Sequence, residues 1–169
     1  YAIGWAMAGN TPFQFYKQSA HEGGVHDPLV ISWPRRIRAR GEIRSQYHHM
    51  VDLMPTLLGQ IGIPLPVEVD GIAQQPLDGI DMSYSFADAT AATPKRVQYY
   101  EMFRNRGIWA DGWKAVVLHN RKPWNVFSAQ PYESDVWELY HTDADWSESR
   151  DLANENPAKL AELEQLFER

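Results

Sequence analysis

The residues of this sequence that could do chemistry lie mainly in one segment near its start, Asn10 to Pro34. Lys17 stands six residues before the pair Gly23-Gly24, and a short apolar run closed by Trp-Pro follows. A lysine ammonium is a compact point charge with three donors, which suits a sulfate, phosphate or carboxylate group. The segment therefore predicts an anion-binding role for Lys17. The alternative is a solvated surface lysine.

His21 is the second candidate in this segment. Side chains alternate along an extended chain, so Lys17, Ser19 and His21 would share one face if the backbone is extended there. His21 would then contact the substrate or donate to an anion, or else it packs within the domain. Glu22-Gly23-Gly24 is no phosphate loop of the Walker type, which ends in Gly-Lys-Ser/Thr. The glycines are predicted to allow a tight turn and close backbone packing.

Two further groups have the residue types of a site. His48-His49 with Asp52 has metal-like spacing, but we favour Asp52 as a helix N-cap. Several tryptophans could form an aromatic subsite for aryl substrates, although large rings more often pack in a core or on a sheet. They are Trp109, Trp113, Trp124 and Trp137.

Composition limits the partners. The net charge of −6 argues against nucleic-acid binding, which usually needs a basic face. No apolar run approaches the length of a membrane span, so no membrane partner is expected. The chain has no cysteine, hence no disulfide and no thiol nucleophile. The absence of cysteine does not fix the compartment, which stays open.

The first part of the chain predicts few regular elements. Residues 1–27 are expected to be loops and short extended pieces. Leu29 to Trp33 predicts a buried strand. Asp52 to Ile61 predicts a helix that ends at Gly62. Residues 63–96 predict an irregular connection with at most one short helix, near Ser83–Asp88.

The later part predicts a small antiparallel sheet and a C-terminal helix. Strands are expected over Val97–Met102, Gly107–Ala110, Trp113–Leu118 and Val136–His141, with a hairpin at Asp111-Gly112. Pro157 to Glu168 predicts a helix capped by Asn156. Residues 95–169 are therefore expected to form a separate small subdomain, and residues 1–94 to be the C-terminal part of a larger catalytic α/β domain. Lys114 and Lys159 are assigned to this outer subdomain, away from the site.

Five segments cover nearly the whole chain. They are, in order, GWAMAGNTPFQFYKQSAHEGGVHDPLVISWP, VDLMPTLLGQIGIPLP, GIAQQPLDGIDMSYSF, QYYEMFRNRGIWADGWKAV and WELYHTDADWSESRDLA. Segments of this kind in this order resemble the C-terminal portion of the type I sulfatases, the arylsulfatase branch of the alkaline phosphatase superfamily, and especially the large bacterial arylsulfatases. The resemblance implies the C-terminal part of an alkaline-phosphatase-like α/β fold, with a small antiparallel sheet plus helix. Lys17 matches the lysine that these enzymes place on the sulfate oxygens.

The resemblance also implies chemistry that this chain carries only in part. Sulfatases use a formylglycine made from Cys or Ser in a C/S-x-P-x-R motif, and a divalent cation, usually Ca²⁺ and otherwise Mg²⁺. In the family these groups lie N-terminal to the region present here. The chain is therefore expected to be a fragment that binds no catalytic metal and is inactive alone. Its expected partners are a small sulfate ester and the missing N-terminal part of the same enzyme. The alternatives are a phosphonate or phosphodiester hydrolase of the same superfamily, and a non-catalytic sulfatase-like binding module.

Overall fold

The computed structural model describes residues 2–119 and 130–169. These residues form two compact units. The first unit holds the described residues of 2–29 and 97–169, and the second holds residues 30–96. The predicted division into 1–94 and 95–169 concerns the domains of a whole sulfatase and stays a prediction. Within the described residues, no helix is both long and apolar enough to cross a bilayer.

The helices and strands are short and are joined by long irregular connections. The α-helices are α1 (Ile3–Gly9), α2 (Glu22–Val25), α3 (Leu53–Ile61), α4 (Tyr84–Ala87) and α5 (Pro157–Phe167). The strands are β1 (Glu68–Val69), β2 (Ile72–Ala73), β3 (Val97–Met102), β4 (Asn105–Ala110), β5 (Trp113–Val117) and β6 (Glu138–His141). Single 3₁₀ turns cover Met50–Asp52 and Tyr132–Ser134.

The predicted antiparallel sheet is confirmed. Its strands lie in the order β3-β4-β5-β6, each antiparallel to its neighbour. Asp111 and Gly112 have φ values of 49° and 82°, the two positive values that a type I′ hairpin requires. The predicted C-terminal helix is α5, with Pro157 at its start. Asn156 forms no side-chain cap, so that detail of the prediction is wrong.

The two faces of the sheet pack against different partners. On one face Ile108, Ala115 and Leu139 form a core with Leu163 of α5. On the other face Val116 and Tyr140 pack against Ala20. Since side chains alternate along a strand, one short sheet supports both α5 and the segment that follows Lys17.

Two predictions for the first third of the chain are wrong. Residues 3–9, which were expected to be a loop, form the helix α1. Alanine and methionine favour a helix, and Gly4 leaves no gap in the packing because no other residue lies near it. Leu29 to Trp33 is not a strand, and Leu29, Val30 and Ile31 are exposed. Both sheets of the described residues form without this run, so its backbone has no ladder to join.

The second unit is organised around Asp52, which is fully buried. Its carboxylate accepts hydrogen bonds from the backbone N–H of His49 at 2.7 Å and of Ile80 at 2.9 Å, and it pairs with Lys95 at 3.1 Å. The predicted helix is confirmed as α3, and Gly62 ends it with φ 74°. Asp52 does not cap α3 with its side chain as predicted. It caps the preceding 3₁₀ turn at His49 instead.

The connection after α3 contains more structure than the composition predicts. The short helix expected near Ser83–Asp88 is confirmed as α4. In addition β1 and β2 form a small hairpin, with Asp70 and Gly71 at φ 51° and 80° in its turn. Each strand is only two residues long, which is too short for the alternation of apolar and polar residues that predicts a strand from sequence.

Candidate functional site

Lys17 lies on an exposed turn rather than on a strand. Its neighbour Gln18 has a φ of 74°, which an extended chain cannot contain. The predicted shared face of Lys17, Ser19 and His21 is therefore wrong: Lys17 is exposed, whereas Ser19 and His21 are buried. The charged side chain stands at the surface immediately before a segment that enters the interior.

The segment after Lys17 is fastened to β4 by two close contacts. The side-chain amide of Asn105 donates a hydrogen bond to the Gln18 carbonyl. Ala20 lies against Gly107, where an added Cβ would come within 3.1 Å of the Ala20 methyl group. Gly107 therefore leaves the room that Ala20 needs to approach the sheet.

His21 is fully buried and bonded through both ring nitrogens. Nδ1 lies 2.9 Å from Ser19 Oγ, and Nε2 lies 2.9 Å from the carboxylate of Glu138 on β6. Tyr140 O–H donates to the same Glu138 oxygen at 2.7 Å. A ring held in this way links the segment to β6 and has no free nitrogen for an anion, so the geometry favours the packing role over the substrate role.

Glu22 anchors the segment to β5 through a buried ion cluster. Lys114 Nζ lies 2.6 Å from Glu22 Oε1 and 3.1 Å from Glu148 Oε1. Glu148 also accepts the backbone N–H of Glu22 at 2.7 Å. His26 Nδ1 lies 2.6 Å from the second Glu22 oxygen. Two carboxylates thus face one fully buried ammonium, with a half-exposed imidazole at the rim.

The cluster shifts the pKa values of two of its members. Burial alone would raise the pKa of Glu22, but the hydrogen bond to His26 and the charge of Lys114 outweigh it and bring that pKa to about 2. The hydrogen bond to Glu22 raises the pKa of His26 above its usual value, against the opposing effect of burial. Glu22 is therefore ionised throughout the neutral range, and its carboxylate binds the Lys114 ammonium on one oxygen and the His26 imidazole on the other.

The expectation that Lys114 lies away from the site is wrong, whereas its place in the outer subdomain stays a prediction. Its side chain is fully buried, and its partners come from the segment that follows Lys17 and from the loop after β6. Lys159 fits the prediction better, because it forms only an i,i+3 pair with Glu162 on α5. Lys114 is thus a buried member of an ion cluster, whereas Lys159 belongs to a surface pair.

The glycine pair confirms the predicted need for close packing. A Cβ on Gly23 would overlap the carbonyl of Gln14, and one on Gly24 would overlap the carbonyl of Ser19. Asn10 adds to this fold of the chain by donating to Phe15 O at 2.8 Å and Gly23 O at 2.6 Å. The backbone therefore folds tightly on itself around the turn that carries Lys17.

The remaining sequence candidates take structural positions. His48 Nε2 lies 2.9 Å from the hydroxyl of Tyr84, and burial lowers the pKa values of His48 and His49. In residues 2–119 and 130–169 no cluster of three or more His, Asp or Glu side chains could hold a metal ion. The described part of the chain therefore offers no ligand set for the cation that the family uses.

The tryptophans of the suggested aromatic subsite pack on the sheet. Trp109 is 4% exposed, and its Nε1 donates to Thr142 Oγ1 at 3.2 Å. Trp113 and Trp137 are partly buried and pack against the core under α5. Trp124 lies outside the described residues. The packing alternative is therefore favoured for the three that are described.

One stretch fits the formylglycine pattern even though the resemblance places the nucleophile outside this chain. Residues 32–36 read Ser-Trp-Pro-Arg-Arg, which satisfies Ser-x-Pro-x-Arg. Ser32 is exposed and precedes a turn. Two of the five positions are free, and none of the described residues builds a cation ligand set around it. We therefore assign Ser32 no catalytic role.

Comparison with known proteins identifies the family. The family described as N-sulphoglucosamine sulphohydrolase, C-terminal, matches residues 12–168, which is most of the chain. The sheet, the C-terminal helix and the segment carrying Lys17 all fall within this match. The chain belongs to this family of sulfatase C-terminal domains, and the resemblance deduced from its five segments is confirmed.

Relatives with names are sulfatases of animals and bacteria. Arylsulfatase K of Xenopus laevis is 26% identical over 151 residues, covering 89% of this chain and 27% of that protein. The N-acetylglucosamine-6-O-sulfatase of Bacteroides thetaiotaomicron is 26% identical over 165 residues, covering 91% of this chain and 26% of its own length. The chain thus spans only about a quarter of the length of these relatives.

Solved structures share the fold. The crystal structure of Ps i-CgsB superposes with a TM-score of 0.69 at 22% identity, covering 94% of this chain and 31% of that one. BT4656, solved in complex with its substrate D-glucosamine-2-N,6-O-disulfate, gives a TM-score of 0.57 at 25% identity, covering 83% of this chain and 27% of its own. The predicted fold class, the C-terminal part of a sulfatase, is confirmed.

Proposed function

We propose that this chain is the C-terminal part of a sulfuric-ester hydrolase and that Lys17 binds the sulfate group of the substrate. The observation that carries the proposal is the family match over residues 12–168, which includes Lys17 and the whole segment that folds around it. The relatives are named sulfatases, and one of them acts on the 6-O-sulfate of N-acetylglucosamine by name.

The geometry of the turn supports this role. Lys17 is exposed on a short turn, while the residues after it are buried and hydrogen-bonded to the sheet. A cation on such a supported turn can approach an anion without a large loss of freedom. The segment therefore combines an accessible charge with a fixed base.

Lysine suits the proposed task. A sulfate ester carries a fixed negative charge that loses water on entering a site, and an unpaired buried anion is costly. Charge also develops on the departing oxygen as the S–O bond breaks, so a well-placed cation favours the transition state over the ground state. A single ammonium can serve tetrahedral oxygens from several directions, whereas arginine donates through a rigid planar fork that needs a different placement of the oxygens.

The formylglycine and the divalent cation of the family are assigned to other parts of the whole protein. The described residues of this chain offer no cation ligand set, and no step is derived through these groups. The contribution proposed for this chain is to bind and orient the sulfate group.

The test uses the whole protein that contains this chain. In it, Lys17→Ala is expected to lower kcat/KM for an aryl sulfate by about a hundredfold or more, comparable with removing a preorganised charge-stabilising group. Lys17→Arg is expected to restore little of the loss. Lys159→Ala is the matched control, because this lysine forms only a surface pair with Glu162, and its kinetics are expected to be normal.

The outcomes separate the alternatives. Near-normal kinetics for Lys17→Ala would show that the sulfate role is wrong. Faster hydrolysis of phosphate diesters or phosphonates than of sulfate esters by the unmodified protein would favour the other superfamily activity. Absence of any esterase activity in the whole protein, together with retained binding of sulfated sugars, would favour the non-catalytic module.

A further inference from the structure

Lys17 belongs to no helix or strand, so its position depends on the contacts of its neighbours. The residue directly after Lys17, Gln18, is bonded to the sheet. Its carbonyl accepts a hydrogen bond from the side-chain amide of Asn105 at the start of β4. The His21 and Glu22 anchors lie four and five residues further along. Asn105 is thus the sheet residue that holds the peptide unit immediately after Lys17.

Asn105 also has a feature that packing alone does not explain. It is 3% exposed, and its Oδ1 is buried without a hydrogen-bond partner in the described structure. An unsatisfied buried oxygen is destabilising, and an apolar residue of similar size would avoid that cost. An asparagine that lowers stability through its unpaired oxygen is expected where the amide nitrogen of the same side chain has a functional role.

That task is visible in the backbone it holds. Gln18 has a φ of 74°, a conformation that is unfavourable for a residue with a side chain and persists where surrounding contacts impose it. The Asn105 amide donates to the carbonyl of this residue. The hydrogen bond therefore stabilises the unusual turn that directs Lys17 outward.

We propose that Asn105 is a positioning residue for Lys17, acting on substrate through the Gln18 peptide rather than by contact. The proposal rests on the proposed sulfate role of Lys17. Loss of the amide lets the Gln18 carbonyl and the turn move, so Lys17 samples positions from which it reaches the anion poorly. Small displacements of a positioned charge lower the rate strongly.

The test is a double-mutant cycle in the whole protein, with Lys17→Ala, Asn105→Leu and the combined variant. Asn105→Leu is chosen because leucine has the same branched heavy-atom skeleton and removes the orphaned oxygen together with the amide. The lost hydrogen bond to Gln18 is expected to lower the melting temperature modestly, and the kinetics are measured well below it. We expect Asn105→Leu to lower kcat/KM on an aryl sulfate roughly tenfold, the scale of one lost hydrogen bond to a partly buried carbonyl. In the Lys17→Ala background we expect no further loss, because the residue whose position it controls is gone.

The double-mutant cycle shows whether Asn105 positions Lys17 or only stabilises the fold. An equal loss from Asn105→Leu with and without Lys17 would overturn the proposal, because the effect would not pass through Lys17. Unchanged kcat/KM for Asn105→Leu would also overturn it. If Lys17→Ala alone has no effect, the proposed function itself fails, and that result is recognised before the cycle is completed.

A second substitution keeps the test decisive if leucine does not fold. Asn105→Ser retains a hydroxyl donor in a smaller side chain, and it is expected to keep more activity than Asn105→Ala at a similar melting temperature. Equal activity of the serine and alanine variants would contradict a role for the donated hydrogen bond.

Discussion

Replacing Lys114 by methionine tests whether the ion cluster holds the Lys17 segment on the sheet. The substitution keeps an unbranched side chain of nearly the same length and removes the charge together with the N–H donors of the ammonium. It leaves Glu22 and Glu148 facing each other, with side-chain exposures of 11% and 0%. Breaking a buried ion pair by removing one partner typically costs about 3–5 kcal/mol, because the remaining charge is uncompensated.

The pKa of Glu22 supports that magnitude. A fall from 4.5 to about 2 corresponds to about 3 kcal/mol of preference for the ionised form in the folded state. Part of this belongs to His26, which remains in the variant. We therefore expect Lys114→Met to lower the free energy of unfolding by about 3 kcal/mol at pH 7.

The loss should depend on pH. Because the folded pKa of Glu22 is depressed, its stabilising contribution is present above pH 4.5 and is lost as the pH falls from 4.5 towards 2. In Lys114→Met the part of this contribution that comes from Lys114 is absent at every pH, while the part that comes from the His26 hydrogen bond remains. The difference between the two proteins is therefore expected to be largest near neutrality and to shrink as the pH falls through this window.

The assay is denaturant unfolding of the whole protein, followed by tryptophan fluorescence at several pH values. Lys159→Met is the control, with an expected change within about 0.5 kcal/mol, since exposed pairs contribute little. Adding Glu148→Gln to Lys114→Met should recover part of the loss, because one of the two unpaired carboxylates is then neutral. A Lys114→Met protein within about 1 kcal/mol of the original at pH 7 would refute the reasoning.

Two further predictions concern the glycine pair and Ser32. Gly23→Ala should lower the free energy of unfolding of the whole protein by about 2 kcal/mol or more, because the new methyl group overlaps the Gln14 carbonyl. The control Gly4→Ala, in open space on α1, should be neutral or slightly stabilising. Equal denaturation midpoints for the two variants would contradict the close packing. Ser32→Ala should leave kcat/KM of the whole protein unchanged, because Ser32 is exposed and the described residues build no cation ligand set; loss of activity would reassign the nucleophile to this chain.

The regular elements of the C-terminal part could be predicted because their signals are local. Asp111-Gly112 between two apolar runs specifies a hairpin, and Pro157 ahead of a leucine stripe specifies α5. The same dipeptide signal occurs at Asp70-Gly71, but two-residue strands show no alternation to accompany it. Local signals therefore identify an element only when enough residues repeat the pattern.

The partners of the site could not be predicted in this way. Glu22 meets Lys114 across 92 residues, and His21 meets Glu138 across 117. Lys114 stands between the apolar residues Trp113 and Ala115 on β5, and a lysine in a strand ordinarily faces solvent. Its burial follows from the carboxylate that the Glu-Gly-Gly segment places on the same face of the sheet. The sequence identifies the exposed charge, but the residues that fix its position become recognisable only once the sheet is formed.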